Sequence, residues 1–254
     1  MYAIDADEMS QPFFACWQAA GLHLDRQVDG GIRSWMRSHA TPPFLEHLSF
    51  RLGNQLFFIM VEDVDGLVRG PGSGAGHRLV AHKTGGHAAI MPMRRAVDGN
   101  WHATVPGWGL LEADSGRLLN PVELVTDERI AMTTWELQDF AVQIVRDRIE
   151  TDGFKVLSWQ PNPAVDPSIF FVGDSGRREW VVVRVATYPR ETAQPPDDLV
   201  ELLSLPALRD DRAHFASVGL VTVEQLMQAD DNTVVPLWRG HPADALYDGL
   251  EPLS

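Results

Sequence analysis

The sequence predicts a mixed α/β protein of the α+β kind. Its N-terminal half is β-rich, and in its C-terminal half a long helix packs on a mixed sheet. Three observations lead there. The stretch TWELQDFAVQIVRDRIE (134–150) carries apolar residues at helical spacing behind a Thr-x-x-Glu start. The stretch SIFFVGDSGRREWVVVRV (168–185) sets two β-branched and aromatic runs on either side of four turn-forming residues. Short apolar runs bounded by Gly, Pro and Asp recur through the first half.

Taken in order, PFLEHLSFRL (43–52) places Phe44, Leu45, Leu48 and Leu52 at helical spacing, with Pro42 and Pro43 fitting a first turn, and so predicts a helix. A strand is expected over 56–62, closed by the Asp65-Gly66 turn. Residues 69–87, RGPGSGAGHRLVAHKTGGH, are rich in glycine and histidine and read as a mobile excursion. Strands are expected at 88–94, 101–105 and 108–113, with DSGR (114–117) as a turn. In the second half, Leu137, Phe140, Ala141, Ile144, Val145 and Ile149 form one face of the helix, and Gly153 stops it. Strands follow at 154–159, 168–172 and 179–185, the last apolar enough to be buried on both faces. RETAQPPDD (190–198) has linker composition. A helix is expected over 197–204 with Asp197 and Asp198 at the end its dipole favours, then a strand at 214–221, a helix at 222–229 and a strand at 234–240. The organisation is either two domains, 1–130 and 131–254, or one continuous domain. Helix-then-strand order occurs twice, at 43–62 and 133–159, without a repeat visible residue by residue.

Composition narrows the function classes. The net charge is −14, with 15 acids against 11 bases through residue 132 and 20 against 10 beyond it. Such a surface repels phosphate backbones, which disfavours nucleic acid; it either simply keeps the protein soluble or suits a basic protein as partner. Cys16 is the sole cysteine, so neither an internal disulfide nor a Cys-based zinc site is expected. No apolar run approaches the roughly 20 residues needed to cross a bilayer, and MYAIDADEMS lacks a secretory layout; cytoplasmic residence is the expectation. Lys83 and Lys155 are the only lysines, so any lysine chemistry falls on one of those two positions.

Several motifs invite chemistry and are better read otherwise. Gly173-Asp174-Ser175-Gly176 spells the surroundings of a serine-protease nucleophile, but Arg177 and Arg178 follow and both flanks are β-forming, so a hairpin turn is expected. His77, His82 and His87 are spaced by five, which stacks them on neither a helix nor a strand. HKTGG (82–86) has His82 where a phosphate-cradling loop needs the glycine directly before Lys-Thr. Cys16 sits in an apolar stretch that predicts a packed thiol.

Between 133 and 189 the order is helix, strand, strand, strand, with Asp166-Pro167 opening the second strand and VVVRVATYP on the third. This arrangement resembles the core of the PD-(D/E)XK nuclease superfamily, the restriction-endonuclease-like fold. Its members carry a helix-borne Glu, an Asp opening a strand, and Glu-x-Lys on the next strand. The resemblance implies Glu136 and Asp166 as carboxylates for Mg or Mn, with Arg184 at the lysine position, in a metal-dependent phosphodiester hydrolase. The Glu-x-Lys pair itself falls on Val182 and Arg184: valine offers a metal nothing, and arginine only donates. Lys155 lies on the preceding strand. The reading is therefore a degenerate core in a non-catalytic binding or interaction protein, with no catalytic residue, metal ligand or cofactor assigned.

Overall fold

A helix laid on a ladder of four strands is built twice along this chain. The computed structural model describes residues 10–36, 48–70, 74–227 and 236–253. The chain divides into two units, Met1–Arg129 and Ile130–Ser254. Each contains one mixed sheet, which makes the protein α+β.

In the first unit, α1 (Gln11–Asp25) starts at Ser10, whose hydroxyl accepts from the Phe13 amide. It buries Phe13, Cys16, Trp17, Ala20 and Leu24. The strands are β1 (Trp35–Met36), β2 (Leu48–Leu52), β3 (Gln55–Asp63), β4 (His87–Arg95), β5 (Trp101–Ala103) and β6 (Leu111–Glu112). Helix α2 (Gly74–Thr84) makes the crossover that the parallel β3–β4 pair requires, and α3 (Pro121–Leu124) follows the sheet. The order is β1-β2-β3-β4-β5, with β6 also on β4. Phe50, Phe57, Ile59, Met91 and Met93 fill the core beneath α1.

The second unit repeats the plan. Helix α4 (Thr134–Thr151) precedes β7 (Lys155–Trp159), β8 (Ile169–Val172) and β9 (Arg178–Thr187). Then come α5 (Leu199–Ser204), β10 (Arg212–Val221), α6 (Val223–Met227), β11 (Asp244–Leu246) and β12 (Glu251–Leu253). The order is β11-β10-β9-β8-β7, with β12 also on β10, and β9 and β10 are parallel. Strand β9 is covered on both faces: Val181 and Val183 pack with α4, while Trp180 and Val182 pack with Leu202 of α5. Each such valine contributes on the order of 1.5–3 kcal/mol by burial.

The repeat extends to single positions. The pairing ladder in the first unit runs Trp35–Phe50–Phe57–His87. In the second it runs Trp159–Ile169–Val181–His214. The buried helix positions match in spacing too, with Cys16, Trp17, Ala20 and Leu24 against Ala141, Val142, Val145 and Ile149. The two occurrences of helix-then-strand noted at 43–62 and 133–159 are not this repeat; α1 is the true counterpart of α4.

Several local expectations are corrected. Leu48–Leu52 is a strand, not the end of a helix, because Gly53 (φ +56°) and Asn54 make a two-residue turn that pairs Leu52 with Gln55; residues 43–47 lie outside those described. The glycine- and histidine-rich excursion contains α2, anchored where the His77 ring donates to the Phe58 carbonyl at 2.6 Å; residues 71–73 are outside the description. The stretch 190–198 is more than a linker. Its Ala193 amide donates to Ser217 Oγ at 2.7 Å, and a side chain on Gly219 would collide with the Glu191 carbonyl, so the segment straps the sheet. The expected strand at 108–113 shortens to Leu111–Glu112. Residues 236–240 form no strand, only a bridge between Trp238 and Ala131; residues 228–229 of the expected helix and 234–235 of that strand are outside the description.

Candidate functional site

Glu136 sits in the first turn of α4 because Thr133 caps the helix. The Thr133 hydroxyl accepts from the Glu136 amide, and the Glu136 carboxylate accepts from the Thr133 amide at 2.9 Å and hydroxyl at 3.0 Å. The rest of that carboxylate is taken by Arg239, which donates from Nε at 2.9 Å to Oε1 and from a terminal nitrogen at 2.8 Å to Oε2. The two side chains are 1% and 2% exposed. Arg239 is held in register by its own amide, which donates to the Ile130 carbonyl at 2.9 Å, and by the Met132 amide donating to Leu237 at 2.8 Å.

Asp166 meets a different arginine. Arg184 donates to Oδ1 at 3.0 Å and to Oδ2 through its second terminal nitrogen, a bidentate pair, while also donating to the Val183 carbonyl at 2.9 Å. Alternation along β9 places Arg184 with Trp180 and Val182, on the face opposite Val181 and Val183, where α4 packs. The structure thus brings Asp166 and Arg184 together and gives Glu136 to Arg239. Val182 is fully buried. As arranged, both candidate carboxylates are engaged by arginines, and among the described residues no three of His, Cys, Asp and Glu gather as a metal set.

The remaining motifs fall into structural places. Gly173-Asp174-Ser175-Gly176 is the turn between β8 and β9, with the Gly176 amide donating to the Gly173 carbonyl and Ser175 Oγ accepting from the Arg177 amide. His77 is buried against Phe58, His82 is exposed on α2, and His87 pairs with Gln55. Cys16 is fully buried, and burial pushes its thiol pKa up to about 12.

Sequence reading missed one buried pair. His214 Nε2 lies 2.6 Å from Glu179 Oε2, with the side chains 7% and 5% exposed. Among the described residues, His214 Nδ1 has no hydrogen-bond partner. The first unit carries the same pair at the same rungs, His87 Nε2 to Gln55 Oε1 at 3.1 Å. In each, the acceptor stands two residues before the strand position that faces the histidine. The partners lie 35 and 32 residues apart, so only knowledge of the parallel register would have joined them.

Residues 135–253 match a family described as a domain of unknown function (DUF8840). The match runs from α4 to β12 and contains Glu136, Asp166, Arg184, Arg239 and the Glu179–His214 pair. No curated protein and no solved structure matches the chain. Among the described residues, no helix is long and apolar enough to cross a membrane.

Proposed function

We propose that the protein is a non-catalytic, cytoplasmic binding or interaction protein whose second unit keeps a degenerate nuclease-like core. One observation carries this reading: each carboxylate the nuclease resemblance would use is already held by an arginine, Glu136 by Arg239 and Asp166 by Arg184. A bidentate guanidinium neutralises the charge a divalent ion would need and takes one lone pair on each oxygen that would ligate it. The buried Val182 at the missing acid position supports the same view. The acidity of the chain, −14 overall, favours a basic protein as partner.

A second reading, a Mg- or Mn-dependent phosphodiester hydrolase using Glu136, Asp166 and Arg184, keeps one observation in its favour: Asp166 and Arg184 do meet. The two readings separate in a thermal-shift titration with magnesium or manganese, run beside plasmid and single-stranded cleavage assays. No shift and no cleavage are expected. A metal-dependent shift of several degrees that Asp166→Ala abolishes, with metal-dependent cleavage, establishes the hydrolase instead.

A further inference from the structure

The repeat exposes a difference between the units that has chemical content. In the second unit the residue after the buried Val145 is Arg146, and its guanidinium carbon lies 4.8 Å from the ring centroid of Trp159, the first rung of the ladder. The same guanidinium donates from Nε to Asp147 at 2.9 Å. In the first unit the residue after the buried Ala20 is Gly21, and the first rung is Trp35. Among the described residues, nothing fills the place where Arg146 would stand: a Cβ on Gly21 would meet only Leu48, at 3.9 Å.

That space is a groove of about 430 Å³, lined by Trp17, Gly21, Leu22, Asp25, Trp35 and Leu48. The volume falls in the roughly 300–1,000 Å³ range of ligand pockets. Two further features mark it as a receptor. Trp17 is 7% exposed, and its indole N–H has no acceptor among the described residues. The Asp25 carboxylate accepts from the Ile32 amide at 2.8 Å, and no cation among the described residues pairs with it.

We propose that this groove receives an arginine side chain from a partner protein, with its guanidinium on the Trp35 ring and facing Asp25. The occupant is written in the second unit, where an arginine already fills the equivalent position against the equivalent tryptophan. A planar guanidinium stacks on an indole while its edge still donates to a carboxylate, which an ammonium cannot do. A backbone carbonyl of the same partner segment would satisfy Trp17. The inference rests on the reading of the protein as a binding module and names the partner's chemistry.

The test uses the full chain, labelled with nitrogen-15, titrated with acetyl-Ala-Arg-Ala-amide and with the peptide in which citrulline, neutral and of the same shape, replaces arginine. The arginine peptide is expected to shift the Trp35 and Trp17 indole signals and the Gly21 amide saturably. The citrulline peptide should bind about tenfold more weakly, and Asp25→Asn should cost the arginine peptide a similar factor. Gly21→Arg, which copies the second unit's arrangement, should abolish the shifts; α1 accepts it, since arginine is the better helix former. If Gly21→Arg does not fold, Asp25→Asn and the citrulline peptide decide. Equal binding of the citrulline peptide, shifts confined to the second unit's acids, or no shift at all would overturn the inference. None of these results touches the proposed function, which falls only with metal-dependent cleavage.

Discussion

Removing Arg239 by substitution with alanine strips three hydrogen bonds from Glu136, at 2.9, 3.1 and 2.8 Å, while leaving its carboxylate 1% exposed. The Thr133 amide and hydroxyl remain as donors, but among the described residues no opposite charge is left beside the buried carboxylate. Breaking one side of such a buried pair costs about 3–5 kcal/mol, because the surviving ion keeps its desolvation penalty without its partner. The loss of the cap is separate and smaller: Thr133→Ala should cost about 1 kcal/mol. Urea unfolding followed by circular dichroism measures both. With a slope of about 1–3 kcal/mol per molar urea, Arg239→Ala should lower the midpoint of the affected transition by more than 1 M. The double variant Glu136→Gln with Arg239→Met should recover most of that stability, since neither side then buries a charge. A loss below about 1 kcal/mol in Arg239→Ala would refute the argument. It would mean that Glu136 reaches water or another cation, and the case against its holding a metal would weaken with it.

Two further outcomes follow from the buried polar groups. Cys16 should resist thiol reagents in the native protein and react on unfolding. Its thiol stays protonated in the fold up to about pH 12, whereas the unfolded chain ionises near pH 9, so unfolding releases a proton in that window and stability falls as pH rises through it. At pH 10 this amounts to about 1.4 kcal/mol, a loss that should be missing in Cys16→Ala when the two pH profiles of unfolding are compared. Glu179→Gln should change stability by less than about 1 kcal/mol, because Gln55 already makes the same contact with His87 in the first unit. A thermal melt showing a larger loss would mean that the His214 pair depends on its charge.

The elements that could be read from sequence are those with a strong local pattern. Helix α4 declared itself through Thr133, Glu136 and a clean apolar face, and the β8–β9 hairpin through its glycine-rich turn between β-forming flanks. Helix α1 did not, because its apolar residues, Phe13 and Phe14 through Leu24, surround the helix and blur the stripe. The segment around Leu48 misled because its leucines fit helical spacing, whereas the Gly53-Asn54 turn and the partner strand decide its state. The candidate site was legible only as residue types. Sequence could nominate Glu136 and Asp166, but that each would face an arginine, 103 and 18 positions away, depends on tertiary placement.

Two units of one topology on a single chain invite a folding error that unrelated neighbours do not face, because a strand or helix from one copy can dock into the vacant place in the other. The ladder carries a safeguard. In the first unit Phe50 and Phe57 stack at 5.1 Å, whereas the second unit has Ile169 and Val181 on those rungs. A swapped strand would force a ring into room shaped for a branched aliphatic chain, an overpacking that costs about 1–3 kcal/mol for each misplaced side chain. Divergence between the copies thus acts as an address label, sending each strand back to its own sheet.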